Sequence, residues 1–128
     1  MGNSGTEDRA TAVLKIILKF YKMSDQNLQS CVDACEACAE VCNSCADHCE
    51  GHSEMDQCSE LCRTCAEACR KCAEECRNGI TTSAQQCADA CRACAEECEK
   101  HDNEHCKRCA EECRKCEEEC KKIAAQVI

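Results

Sequence analysis

Between residues 31 and 120 cysteine recurs in steps of three and four residues, in strict alternation within each of four runs. The first run is Cys31, Cys35, Cys38, Cys42, Cys45 and Cys49, and the second is Cys58, Cys62, Cys65, Cys69, Cys72 and Cys76. The third is Cys87, Cys91, Cys94 and Cys98, and the fourth is Cys106, Cys109, Cys113, Cys116 and Cys120. This spacing keeps one residue type on one stripe of an α-helix, at the a and d positions that face other helices. Four runs predict four helices that share an interior made of cysteine.

The breaks between runs carry helix-ending residues. Gly51 follows the first run, and Ser53 with Asp56 reads as a box-like cap for the second helix. Asn78-Gly79 reads as the C-terminal cap of that helix, and Thr82 with Gln85 as the cap of the third. His101-Asp102-Asn103 separates the third from the fourth. Helices are expected near 25–50, 54–78, 83–101 and 103–125. Ahead of them, residues 7–22 read as a short amphipathic helix. Its stripe is Ala10, Val13, Ile17 and Phe20, flanked by Leu14, Ile16 and Tyr21. Ser24 or Asp25 would restart the chain, and residues 1–6 read as a disordered tail. Short connections make sequential helices antiparallel. The expected fold is all-α: an antiparallel up-down-up-down four-helix bundle over 25–125 with an additional short N-terminal helix.

Composition agrees with a cysteine core. The 128 residues contain no proline, four glycines, one Phe and one Tyr. Leu, Ile and Val are sparse after residue 30. Cysteine, with 21 copies, is the one abundant side chain that favours burial, and free cysteine packs as a small hydrophobe. A secreted disulfide scaffold is the usual alternative for such a composition. The odd count and the helix-forming sequence weigh against it. The apolar stretch 11–20 is interrupted by Lys15 and Lys19, with no small-residue cleavage site after it and no twin-arginine pair before it. A reducing, cytoplasmic setting is therefore expected, with no membrane span. The net charge of −9 argues against nucleic acid and anionic membranes as partners.

The two ends of the bundle differ. Continuing the seam past the cysteines reaches His52 after Cys49, Met55 before Cys58 and His101 after Cys98. In this topology all three belong to one end, with His48 and His105 one residue off the seam. Histidine is common at helix ends for capping alone, but the joint phase of three metal-capable side chains points to a mouth that admits metal. The seam at the other end reaches Leu28, Ala84, Ile123 and Val127, with Ile80 in the turn. Those residues should form a hydrophobic plug.

Cysteines at i and i+4 have Cβ atoms about 5–6 Å apart and can hold one ion between them. Ten such pairs use every cysteine but Cys106. Soft thiolates select Cu(I), Zn(II) or iron–sulfur clusters. Zinc wants a closed tetrahedron, and a continuous column is expected to offer no discrete sets of four. Iron–sulfur clusters favour compact loop motifs. Charge balance favours Cu(I): one ion for each displaced thiol proton leaves the core neutral, giving about one copper per cysteine where thiolates bridge. The alternatives are a zinc-binding or iron–sulfur bundle, or cysteine as mere core filling, which alanine or leucine would do without the oxidation hazard.

Repeated C-x2-C-A-E-x-C-type segments carry a resemblance. They read Cys35-Glu36-Ala37-Cys38-Ala39-Glu40-Val41-Cys42 and Cys62-Arg63-Thr64-Cys65-Ala66-Glu67-Ala68-Cys69. They recur from Cys91 to Cys98 and from Cys106 to Cys113. Over about residues 25–125 the chain resembles the bacterial copper storage proteins, cysteine-rich four-helix bundles. The resemblance implies many Cu(I) ions per chain, bound by the cysteine thiolates from Cys31 to Cys120. It also implies His and Met at an open end, here His52, Met55 and His101 with His48 and His105. It implies homotetramers, and, without a twin-arginine signal, the cytosolic branch. The expected function is Cu(I) storage without enzymatic activity, with copper ions, further copies of the chain and a copper chaperone as candidate partners. Because cysteine itself packs the core, the bundle is expected to fold before metal arrives, unlike a chain that folds only around its metal.

Overall fold

The computed structural model describes the backbone of residues 9–126 and the side chains of Arg9 and residues 27–125. It is a four-helix bundle with no strand among the described residues: α1 Arg9–Cys49, α2 Asp56–Arg77, α3 Ala84–Cys98 and α4 Glu104–Gln126. Each helix packs along two neighbours, α1 on α2 and α4, and α3 on α2 and α4. Among the described residues no helix is long and apolar enough to cross a membrane.

The helix expected over 7–22 and the first bundle helix are one element. α1 runs unbroken for 41 residues, so Ser24 and Asp25 do not restart it. No glycine or proline lies between Arg9 and Cys49 to stop a helix, and polar residues that can cap are also tolerated inside one. The expected tail, the start at residue 7 and Val127 lie outside the described residues, as do the side chains of the 10–22 stripe.

The breaks fall where expected, by partly different means. The α2 C-terminus closes as anticipated: Gly79 adopts φ 78°, its N–H reaches Cys76 O at 3.0 Å, and Ile80 N–H reaches Glu75 O at 2.8 Å. This double bond satisfies two end carbonyls and needs a left-handed residue at Gly79. Gly51, at φ 88°, likewise turns the chain after α1. The two side-chain caps do not form. A 3-10 turn, Ser53–Met55, leads into α2, whose capping position falls on Met55 rather than Ser53. Ser83 rather than Thr82 precedes α3, and its side chain makes no capping bond. Asn103 is the cap that does form, accepting the Cys106 N–H on Oδ1 at 2.9 Å.

The core is narrow. All 21 cysteines are at most 3% exposed. Beside them lie buried alanines: Ala39, Ala46, Ala66, Ala73, Ala88, Ala95 and Ala110. Every one follows directly after a d-position cysteine. A methyl group there lets neighbouring helices approach closely, and that approach makes the sulfur column continuous. Glu117 takes the same place after Cys116 and is buried, held by Arg114 at 3.1 Å and Lys121 at 2.8 Å. Burial alone would raise its pKa, but those two cations outweigh it and keep the carboxylate below its usual range.

Candidate metal centre

Every cysteine is a free thiol. Seven of the ten i,i+4 pairs have sulfurs 3.7–4.0 Å apart: Cys31/Cys35, Cys38/Cys42, Cys65/Cys69, Cys72/Cys76, Cys94/Cys98, Cys109/Cys113 and Cys116/Cys120. Contacts between helices are as short. Cys42 Sγ lies 3.6 Å from both Cys109 and Cys113, and Cys38 lies 3.6 Å from Cys113. Diagonal helices touch as well: Cys62 meets Cys109 at 3.7 Å and Cys35 meets Cys87 at 3.8 Å. Cys106, outside the pairing scheme, is drawn into the column at 3.8 Å from Cys45 and 3.7 Å from Cys58. Pairing along one helix therefore describes only part of the column, and cross-helix contact supplies the rest.

The sulfur spacing suits metal without rearrangement of the backbone. Metal–thiolate bonds of about 2.3 Å put sulfurs about 3.8 Å apart around a tetrahedral ion and about 4.0 Å apart around a trigonal one. The expectation that the column offers no sets of four is corrected by the geometry. Cys31/Cys35/Cys72/Cys120, Cys38/Cys65/Cys69/Cys91 and Cys42/Cys94/Cys109/Cys113 each bring four sulfurs within 4.8 Å of one another. The heptad spacing along one helix could not reveal these groups, because each draws on three helices. The groups also overlap. Cys35 and Cys120 recur in a second set with Cys87 and Cys116, and Cys42 and Cys113 in one with Cys38 and Cys65. Neighbouring tetrahedral ions would have to share these sulfurs, and shared sulfurs suit bridging thiolates.

Towards the ends of the column, burial favours the protonated thiol. Burial pushes Cys58 up, pushes Cys76 up to about 12 and raises Cys106. Metal binding therefore releases protons, and each Cu(I) that replaces one proton leaves the charge of the core unchanged.

At one end, a cavity of about 230 Å³ is lined by His48, Cys49, His52, Glu54, Met55 and Asn103. Met55 is half-buried and packs on the core, while His48 and His52 are exposed. The His48 ring stacks on His105 with centroids 3.5 Å apart. Cys49 is the sulfur nearest this opening along its helix. His101 sits apart from this cavity. Its Nε2 lies 2.9 Å from Glu97 Oε2, and it lines a separate cleft between α3 and α4 with Lys100, Asp102, Lys107 and Arg114. His101, with Lys100, holds the Glu97 carboxyl below its usual range. Extending the seam to His101 assumes that α3 continues, but α3 ends at Cys98 and the chain turns away. His48, still on α1, reaches the opening instead.

At the other end, Leu28, Ala84 and Ile123 are buried as expected. Ile80 is 47% exposed and does not join them, because the turn at Gly79 carries it outward. Ser83, which the sequence pattern does not mark, is buried at the same end.

Residues 24–125 match the family model of the copper storage proteins. The chain is similar to a cytosolic copper storage protein from Streptomyces lividans solved with five coppers. The two share 30% identity over 84% of this chain and 99% of that one, with a TM-score of 0.78. It is similar to the Streptomyces lividans protein loaded with 10 copper equivalents, at 32% identity over 80% and 86% of the two chains and a TM-score of 0.74. It is also similar to the copper-free copper storage protein 3 from Bacillus subtilis, at 35% identity over 75% and 97% and a TM-score of 0.70. No curated protein sequence matches the chain.

Proposed function

The chain belongs to the copper storage protein family, and from that premise we propose that it holds many Cu(I) ions on the thiolates from Cys31 to Cys120. The observation that carries this reading is the column of 21 buried thiols, whose sulfurs come into contact along and across all four helices. Its work is storage rather than catalysis, in keeping with a family of copper storage proteins. The setting is the cytosol, as for the Streptomyces lividans relative.

Copper arrives at the end that carries His48, His52 and Met55. These exposed and half-buried ligands meet the ion before Cys49, and the ion then passes inward by thiolate exchange. Deeper in the column it moves between sulfurs that already stand 3.6–4.0 Å apart. His105 braces His48, and His101 stands outside this route, paired with Glu97. A chaperone that hands copper to the mouth and a homotetrameric assembly fit this reading.

An anaerobic titration with Cu(I) against a strong chelator tests it. About 20 ions per chain is the expected capacity, if thiolates bridge. A capacity of one to four would overturn the storage reading. A parallel titration with Zn(II) separates the ions, since overlapping four-sulfur groups cannot all close around separate zinc ions.

A further inference from the structure

Away from the mouth, a cavity of about 230 Å³ lies in the seam between α2 and α3. The residues that line it differ in burial. Glu67 and Lys71 of α2 are exposed, Ala68 and Ala90 are half-buried, and Ser83 and Cys87 are buried. The cavity thus passes from a charged rim, between two alanine methyl groups, to a hydroxyl and a thiol. The rim charges are opposite and one helical turn apart. Arg63 and Arg77 of α2 pair with carboxylates of α1, whereas Glu67 and Lys71 enter no ion pair among the described residues.

The inner end is chemically unfinished. Ser83 is 6% exposed, and its Oγ is buried without a hydrogen-bond partner. The other such oxygen among the described residues is Glu75 Oε1, one turn of α2 beyond Lys71. A buried hydroxyl left unpaired is costly, and a bound polar group would remove that cost. Cys87 joins the cavity to the store. Its sulfur stands 3.7 Å from Cys69 and 3.8 Å from Cys35, and it belongs to the four-sulfur group with Cys35, Cys116 and Cys120. No other cysteine lines this cavity.

We propose that the α2–α3 cavity is a side port at which a small thiol carrying both a carboxylate and an amine takes copper from Cys87. The proposal rests on the reading of the column as a Cu(I) store. A soft ligand is needed to compete with thiolate for Cu(I), which makes the reacting group a thiol. Lys71 and Glu67 supply the charges that hold its carboxylate and ammonium, and Ser83 Oγ gains a partner. The volume falls below the roughly 300–1,000 Å³ of sites for drug-sized molecules, which limits the ligand to about the size of an amino acid. In the exchange the incoming sulfur forms a Cu–S bond and gives up its proton. The Cu–S bond to Cys87 breaks, and the Cys87 sulfur takes that proton. Copper stays Cu(I), and further thiols repeat the exchange at its remaining bonds.

The test loads the full chain with Cu(I), adds excess bathocuproine disulfonate to trap what leaves, and measures release with and without L-cysteine. L-cysteine should speed release from the parent. Ala68→Leu with Ala90→Leu fills the cavity and should bring that rate down to the rate with chelator alone, at unchanged copper capacity. Lys71→Glu, on the exposed rim, should slow cysteine-driven release about threefold. It should not slow release driven by cysteamine, which has no carboxylate. Lys115→Glu, on α4, serves as the charge control and should match the parent. Should filling lower the capacity, the contrast between the two thiols in Lys71→Glu decides. Full cysteine-driven release from the filled variant, no response of the parent to cysteine, or equal effects of Lys71→Glu on both thiols overturns the side port. The storage reading would survive each of these results, because it stands on capacity rather than on release.

Discussion

The two ends of the sulfur column are built from the same repeat and finish differently. At the closed end the seam passes from cysteine into Leu28, Ala84 and Ile123, and the α2–α3 turn is locked by backbone bonds around Gly79. At the open end the seam passes into a turn that carries His52 and Met55, beside His48 on the last turn of α1. Apolar side chains exclude water and bind no copper, whereas imidazole and thioether ligands are partly wet and exchange ions readily. On the proposed reading, the difference gives a symmetric store one direction of traffic. The thiols near both ends are alike in chemistry, since burial raises Cys76 beside the plug and Cys58 beside the mouth.

That likeness yields the largest expected effect. A thiol whose pKa is raised in the folded state stabilises the fold fully below its unfolded value, near 9, and the contribution fades as pH rises through its folded value. For Cys76 the window runs from 9.0 to about 12. Because burial raises Cys58, Cys76 and Cys106 alike, the metal-free bundle should lose stability over this range, seen as loss of helical circular dichroism. The copper-loaded bundle should stay folded, because its thiolates are already neutralised by metal. Equal alkaline sensitivity of the two forms would show that copper does not occupy the buried thiolates.

The next test sets the two ends directly against each other. His48→Ala, His52→Ala and Met55→Leu combined should slow uptake from a Cu(I)–chelator complex on the order of tenfold, comparable to the loss of ligand-shell groups elsewhere. Capacity per chain should hold. Stopped-flow absorbance of the released chelator reads the rate. Unchanged uptake would place admission somewhere other than this cavity. The same experiment on His101→Ala should show little change, since its ring is engaged by Glu97.

The reverse pattern is expected at the plug. Ile123 is 2% exposed, and Ile123→Ala should cost the metal-free bundle about 2–4 kcal/mol in urea unfolding. Copper capacity and uptake rate should not move. Faster uptake in this variant would mean that the closed end is closed only by that side chain.

The sulfur column and the plug were legible because each depends on residues whose helical phase is fixed by their own run. Leu28 and Ile123 lie within α1 and α4, so extending the seam to them is sound. His101 lies past the end of α3, where phase no longer determines direction, and it lines another cleft. The four-sulfur groups were hidden for a different reason. They arise from contact between helices, and their one trace in the chain is the alanine that follows most d-position cysteines, such as Ala39 and Ala95, and permits that contact. The continuity of α1 was obscured by Ser24 and Asp25, which can cap a helix but need not.

The smallest expected effect asks whether the mouth is held as firmly as the plug. Asn103 both lines the mouth cavity and caps α4 through the Cys106 N–H at 2.9 Å. Asn103→Ala should destabilise the metal-free bundle by about 1 kcal/mol, and Asn103→Ser should restore most of it, because a hydroxyl can accept the same bond. If capping is the residue's whole contribution, copper uptake should be the same in all three proteins. An uptake defect in Asn103→Ala that Asn103→Ser corrects would mean that the fixed end of α4 positions the mouth. A defect that Asn103→Ser leaves in place would make the amide itself a participant in admitting copper. The plug has no counterpart to this coupling: the α2–α3 turn beside it is closed by backbone bonds, with no side-chain cap on α3.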